Sequence, residues 1–178
     1  MLFLLAIVLG LALGLVSGGK LDNLARVRFR WVWFVLVAVV VREAALLTPL
    51  GGVAGANYVY VVALAGIAVW TAMHWRLLGG IWLVTVGVLL NLTVIVANGA
   101  RMPVAPEVAG RVLLARGTVG QYTLMGPGTN LSFLGDWIRL FPDPEGYSVG
   151  DVLVAVGLSI VVFLAVRNSP AYKELSPP

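Results

Sequence analysis

The sequence contains no cysteine and a single histidine, His74. The first absence excludes disulfides, thiolate metal sites and cysteine nucleophiles. The second excludes a metal centre built from several histidines. Charge is scarce too: 11% of residues are charged, against about 25% in an ordinary soluble domain. There is no phosphate loop, dinucleotide fingerprint, internal repeat or low-complexity run. No metal and no cofactor are expected. What is present is apolar. Of 178 residues, 60% are hydrophobic, and the mean hydropathy is +0.98. The length suits one domain, and a chain this apolar needs lipid as its solvent. The expectation is an all-α membrane protein, a single integral membrane domain over residues 1–178.

A membrane span needs about 20 mostly apolar residues. The sequence predicts a bundle of about five transmembrane helices, over residues 2–17, 31–47, 58–75, 77–97 and 151–166. The first has no positive residue before it and no clear small-x-small site after it. It therefore reads as a retained helix, not a signal peptide. Gly10, Gly14 and Gly18 recur every fourth residue and predict a strip where another helix approaches closely. The alternative is that glycine is simply common in membrane helices. Trp31 and Trp33 open the second helix at an interface. Thr48-Pro49-Leu50-Gly51-Gly52 ends it with a turn signal.

Charge sets the orientation, because basic residues in short loops stay in the cytoplasm. Lys20, Arg26, Arg28 and Arg30 follow the first helix, with only Asp22 among them. Arg76 follows the third helix, and Arg167 and Lys173 lie in the tail. With five spans these all fall on one side. The uncharged 48–57 loop falls on the other. So does the 98–149 segment, where Arg101, Arg111, Arg116 and Arg139 are offset by Glu107, Asp136, Asp143 and Glu145. The N-terminus is expected outside and the C-terminus in the cytoplasm. Beside tryptophans, the connector's arginines read as topology signals next to anionic headgroups. Membrane lipids are expected partners and nucleic acid is not.

The 98–149 segment is predicted to be extracytoplasmic. Long loops are often functional, and this one carries apolar runs such as Val112 to Ala115 and Tyr122 to Met125. It is expected to fold back on the bundle or dip into the outer leaflet, with its backbone covered by protein or facing water. Pro106 suits the first turn of a short helix, and Gly126 to Asn130 reads as a tight turn. Asp136 and Asp151, each preceded by glycine, are the candidate catalytic residues. Two aspartates held about 3 Å apart share a proton and can activate water. Asp151, at the predicted start of the fifth helix, equally suits a helix cap. The sequence leaves both readings open.

A second polar set lies deeper. Counting from Trp31 puts Arg42 and Glu43 about 16–18 Å along the helix, near mid-membrane. Charges there usually face the protein interior. Asn91, about 20 Å in from the same side, is their natural partner, as interhelical glue or as part of a ligand path. Asn98-Gly99 suits a helix C-cap, and Pro103 prevents continuation. Arg101 is left as a counter-ion candidate for Asp136 or Asp151.

The stretches Asn98-Gly99-Ala100-Arg101-Met102-Pro103-Val104, Leu134-Gly135-Asp136-Trp137-Ile138 and Ser148-Val149-Gly150-Asp151-Val152-Leu153 resemble an uncharacterised family of bacterial multi-pass membrane proteins. That family is known only as a domain of unknown function. The resemblance covers the chain, implies a bacterial inner-membrane location and supplies no activity. Locally, Tyr147-Ser148-Val149-Gly150-Asp151, after Phe141-Pro142, is also similar to the second catalytic motif of lipoprotein signal peptidases, which are aspartyl proteases. This similarity implies a catalytic pair of Asp136 and Asp151. The chain departs from that pattern where Trp137 follows Asp136 and where Ser148 replaces an asparagine.

The function expected is a non-catalytic accessory or scaffold subunit, within a larger membrane complex. The alternatives are an aspartate-dependent intramembrane hydrolase and a binder or transporter of a small hydrophobic ligand. Five spans without a repeat argue against a transporter.

Overall fold

The computed structural model describes residues 1–27, 30–47, 55–77, 79–140 and 146–167. The chain is mostly helical. The long helices are α1 (Leu2–Val16), α3 (Val32–Leu47), α4 (Ala56–Met73), α5 (Ile81–Ala97) and α7 (Val149–Arg167). A short α2 (Leu21–Ala25) lies between the first two, and a short α6 (Arg111–Arg116) lies after α5. Among the described residues one helix, α7, is both long and apolar enough to cross a membrane. Leu2–Val16, Asn57–Met73 and Ile81–Ala97 are apolar but shorter.

The long helices stand in a row. α7 lies between α1 and α5, α4 packs on α5, and α3 packs on α4. Glycine sets the spacing around α7. A Cβ at Gly80, the N-cap of α5, would overlap the Gly157 carbonyl oxygen, and one at Gly87 within the helix would overlap that of Gly150. In return, a Cβ at Gly157 would stand 2.8 Å from the Gly80 oxygen. Residue numbers rise along α5 as they fall along α7, so the two helices are antiparallel. The glycines are seven apart on each helix. That spacing keeps them on one face and lets the two backbones touch.

On its other side α7 meets α1. A Cβ on Gly10 would overlap the Ser159 oxygen, and one on Gly14 would come within 2.9 Å of Val166 Cβ. Here the numbers rise together, so α1 and α7 run parallel. Gly18 differs from the expected strip. It lies beyond the helix end at φ +85°, with nothing within 4 Å of its would-be Cβ. Gly19 makes the close approach instead: a Cβ there would stand 2.7 Å from both the Gly14 and Val166 oxygens. The helix stops before the fourth-residue periodicity reaches Gly18.

The segment after α5 corrects the all-α expectation. Strands β1 (Met102–Val104), β2 (Thr118–Val119) and β3 (Tyr122–Leu124) form a sheet ordered β1-β3-β2, and β4 (Ile138–Arg139) pairs with β5 (Gly146–Tyr147). β1 runs parallel to β3, with Met102 opposite Tyr122, whereas β2 pairs antiparallel with β3 and β4 antiparallel with β5. Strands of two or three residues leave no legible alternation in a sequence, so the period-2 signal was absent. Pro106 opens a 3-10 turn, Pro106–Val108. The tight turn is present, closed by Thr129 N–H on the Gly126 carbonyl at 3.0 Å.

This segment folds back on the helices. Met102 and Leu134 join Tyr60, Leu64 and Ala68 of α4 and Val84, Val88, Val94 and Ile95 of α5 in one buried cluster. A second cluster, Val104, Ala105, Val108 and Leu113, belongs to the segment itself.

Candidate functional site

The N-terminus of α7 carries the most ordered polar arrangement. Ser148 precedes the helix and Asp151 lies three residues later. The Asp151 backbone N–H donates to Ser148 Oγ at 2.9 Å, and the Ser148 N–H donates to Asp151 Oδ2 at 3.0 Å. This is a reciprocal capping box, which satisfies two backbone donors that a helix start leaves open. The carboxylate also meets the positive end of the helix dipole.

Asn91 on α5 closes the box from the neighbouring helix. Its Nδ2 donates to Asp151 Oδ1 at 2.9 Å, and Ser148 Oγ donates to its Oδ1 at 2.8 Å. Asn91 reaches so near because residue 150 is glycine. A Cβ there would overlap the Asn91 amide oxygen. Ser148 is fully buried and Asp151 is half-buried. The ring of three side chains is therefore self-contained. The serine proton goes to an amide oxygen, not to a base, which is not the arrangement of an activated nucleophile.

Asp136 is held differently. Its backbone splices the segment together: its N–H donates to the Pro103 carbonyl at 2.9 Å, and its carbonyl accepts from Ala105 N–H at 2.8 Å. Gly135 makes this possible, because a Cβ there would stand 2.6 Å from the Pro103 oxygen. The Asp136 side chain is buried. β4 follows it directly, and Trp137 N–H donates to the Tyr147 carbonyl at 3.2 Å. Asp136 thus lies just before β4, whereas Asp151 lies in the first turn of α7, beyond β5. The Asp151 hydrogen bonds run to Asn91 and Ser148 rather than to Asp136.

The other sequence-selected residues separate into distinct contacts. Asn98 is the C-cap of α5, followed by Gly99 at φ +67° in the left-handed region that a helix end favours. Its side chain pairs with the turn at Asn130. Asn98 Nδ2 donates to the Asn130 carbonyl at 2.8 Å, and Oδ1 accepts from Asn130 N–H at 2.9 Å. Arg101 faces the start of α4. With the Asn57 amide turned oxygen-inward, its Nη2 and Nε donate to Asn57 at 3.2 and 3.3 Å. Asn91 is taken up by Ser148 and Asp151. Arg42 and Glu43 lie on the α3 backbone, and their side chains fall outside the described residues. Gly10 and Gly14 are buried against α7.

Sequence reasoning missed Ser148, Asn130, Asn57 and the paired glycines of α5 and α7. The Ser-x-x-Asp pattern was a legible signal for the first. The equal seven-residue spacings were a signal for the last. Among the described residues no group of three or more His, Cys, Asp or Glu could hold a metal ion.

A model of DUF5317, a family of unknown function, matches residues 26–163. No curated protein and no solved structure matches the chain.

Proposed function

The chain belongs to this family of unknown function, and we propose that it is a bacterial inner-membrane protein that acts as a non-catalytic accessory or scaffold subunit. The observation that carries this reading is the outer surface of the helix row. Leu4 and Val8 of α1, Trp33 of α3 and Val62 of α4 are more than half exposed. Large apolar side chains exposed on several helices suit lipid or a partner rather than water. In this reading α1, α3, α4, α5 and α7 all span. The shorter helices, at about 1.5 Å per residue, reach about 22–26 Å. The bilayer accommodates such spans by thinning locally. The N-terminus is outside and the C-terminus in the cytoplasm, with Lys20, Arg26, Arg30, Arg76 and Arg167 on the inner side.

The closed ring at α7 supports the non-catalytic part. An aspartate-dependent hydrolase needs its two carboxylates to share a proton, and Asp151 is committed to a cap and an interhelical clamp. The open row supports a partner, since α1 and α3 each have one long neighbouring helix.

Two measurements test the reading. The chain has no cysteine, so single cysteines report topology cleanly. Gly128→Cys should label in intact cells, and Arg76→Cys only after permeabilisation. Labels on one side only, or release of the protein by alkaline carbonate, would overturn the membrane reading. Gentle detergent extraction should yield a complex, and a lone monomer would overturn the subunit reading.

A further inference from the structure

The charge is divided between the two ends of the helix row. Near the ends of α1, α4 and α7 and the starts of α3 and α5 lie Lys20, Arg26, Arg30, Arg76 and Arg167, with Asp22 as the acid among them. The opposite end mixes Arg101, Arg111, Arg116 and Arg139 with Glu107, Asp136 and Asp151.

At the basic end, the start of α3 and the end of α4 make a corner. Trp70 Nε1 donates to the Arg30 carbonyl at 2.9 Å. His74 stacks on Trp70, with ring centroids 4.4 Å apart, and its Nδ1 lies 2.8 Å from the Trp70 carbonyl. Arg30 lies over the Trp31 ring at 5.9 Å, and Arg76 over the Trp75 ring at 5.3 Å. Both arginines and both of these tryptophans are exposed. Trp31 is held at φ +57°, a conformation uncommon for a bulky residue.

The chemistry of this corner is specific. A guanidinium held over an indole face by a cation–π contact keeps N–H groups free, and these can grip a phosphate. The indoles sit well at the level of lipid headgroups. Neither guanidinium has a carboxylate partner among the described residues.

We propose that Arg30 and Arg76, on the platform of Trp31 and Trp75, bind the headgroup phosphate of an anionic phospholipid. This rests on the membrane reading above and adds lipid selectivity to it. Five of the six tryptophans, all but Trp137, lie near this end of the row, so their fluorescence reports on the site.

The test uses the full chain in vesicles in which brominated phosphatidylglycerol or brominated phosphatidylcholine is titrated over the same range of mole fraction. Brominated phosphatidylglycerol should quench at lower mole fraction, each arginine adding about fivefold to the preference. Arg30→Gln with Arg76→Gln should abolish the preference without lowering helicity. In the unaltered protein, 0.5 M salt should weaken it as well, which guards against a misfolded variant. Equal quenching by both lipids, or a preference that survives both substitutions or is indifferent to salt, would overturn this inference while leaving the membrane reading intact. No quenching by either lipid would overturn the membrane reading itself.

Discussion

Replacing Gly150 by alanine is the sharpest probe of the α5–α7 contact. The new Cβ would overlap Asn91 Oδ1 and stand 2.6 Å from the Gly87 carbonyl oxygen. Neither obstacle is the loose end of a long side chain. One is a buried backbone, and the other is an amide committed at both ends. Overpacking of this kind costs about 1–3 kcal/mol. If Asn91 swings away, its bonds to Ser148 and Asp151 go with it, at about 1 kcal/mol each. Alanine returns about 0.5–1 kcal/mol through its better helix propensity. The net expectation is a loss of about 2–4 kcal/mol. For a chain of this length each kcal/mol moves Tm by about 2–4 °C, so a fall of roughly 5–15 °C is expected.

Thermal unfolding in mild detergent, followed by circular dichroism, measures this directly. The control is Asn91→Ala, which removes one of the two obstacles. The double variant should lose about 1–2 kcal/mol less than the sum of the single ones, the signature of residues in contact. An unchanged or raised Tm for Gly150→Ala, or strict additivity with Asn91→Ala, would refute the close approach.

Other perturbations follow from the same geometry. Gly157→Ala should cost about 1–3 kcal/mol, since its Cβ would lie 2.8 Å from both the Gly80 oxygen and the Val84 nitrogen. Gly128→Ala should leave Tm unchanged, because nothing lies within 4 Å of the added carbon. Asp151→Ala should lose about 1–2 kcal/mol as a broken cap. Asp151→Asn, which keeps an acceptor for the Ser148 N–H, should lose less than half of that, and equal losses would argue against the cap. Asn98→Ala should lose about 1–2 kcal/mol and speed amide exchange at Asn130, whose N–H it accepts; unchanged exchange there would count against the pairing.

What the sequence revealed follows the strength of its periodic signals. Long apolar runs made the helices legible, because a helix shows its core face again every few residues. The turn at Gly126 to Asn130 and the cap at Asn98-Gly99 were legible for a related reason. Their chemistry is local, and a few residues suffice to specify it. The strands were not legible, since β2 and β4 are two residues long. Their register comes from pairing between segments up to tens of residues apart. Asp151 could be recognised as a cap, but its link to Asn91 could not. That link joins residues 60 apart in the chain, and only the packing of α5 on α7 creates it. The same holds for Gly87 opposite Gly150. Each glycine is unremarked alone and acquires meaning from its partner.

The position of α7 also governs the timing of assembly. The principal helical neighbour of α1 is α7, which follows it by more than 130 residues. At about 5–20 residues per second of synthesis, α1 waits roughly 7–27 s for that neighbour to begin. During this interval α4 and α5 can already pair through their short connection, while the glycine faces of α1 and α5 have nothing to close on. The final helix therefore acts as a keystone. Until it is made, the two glycine faces stand open to whatever else can fill them.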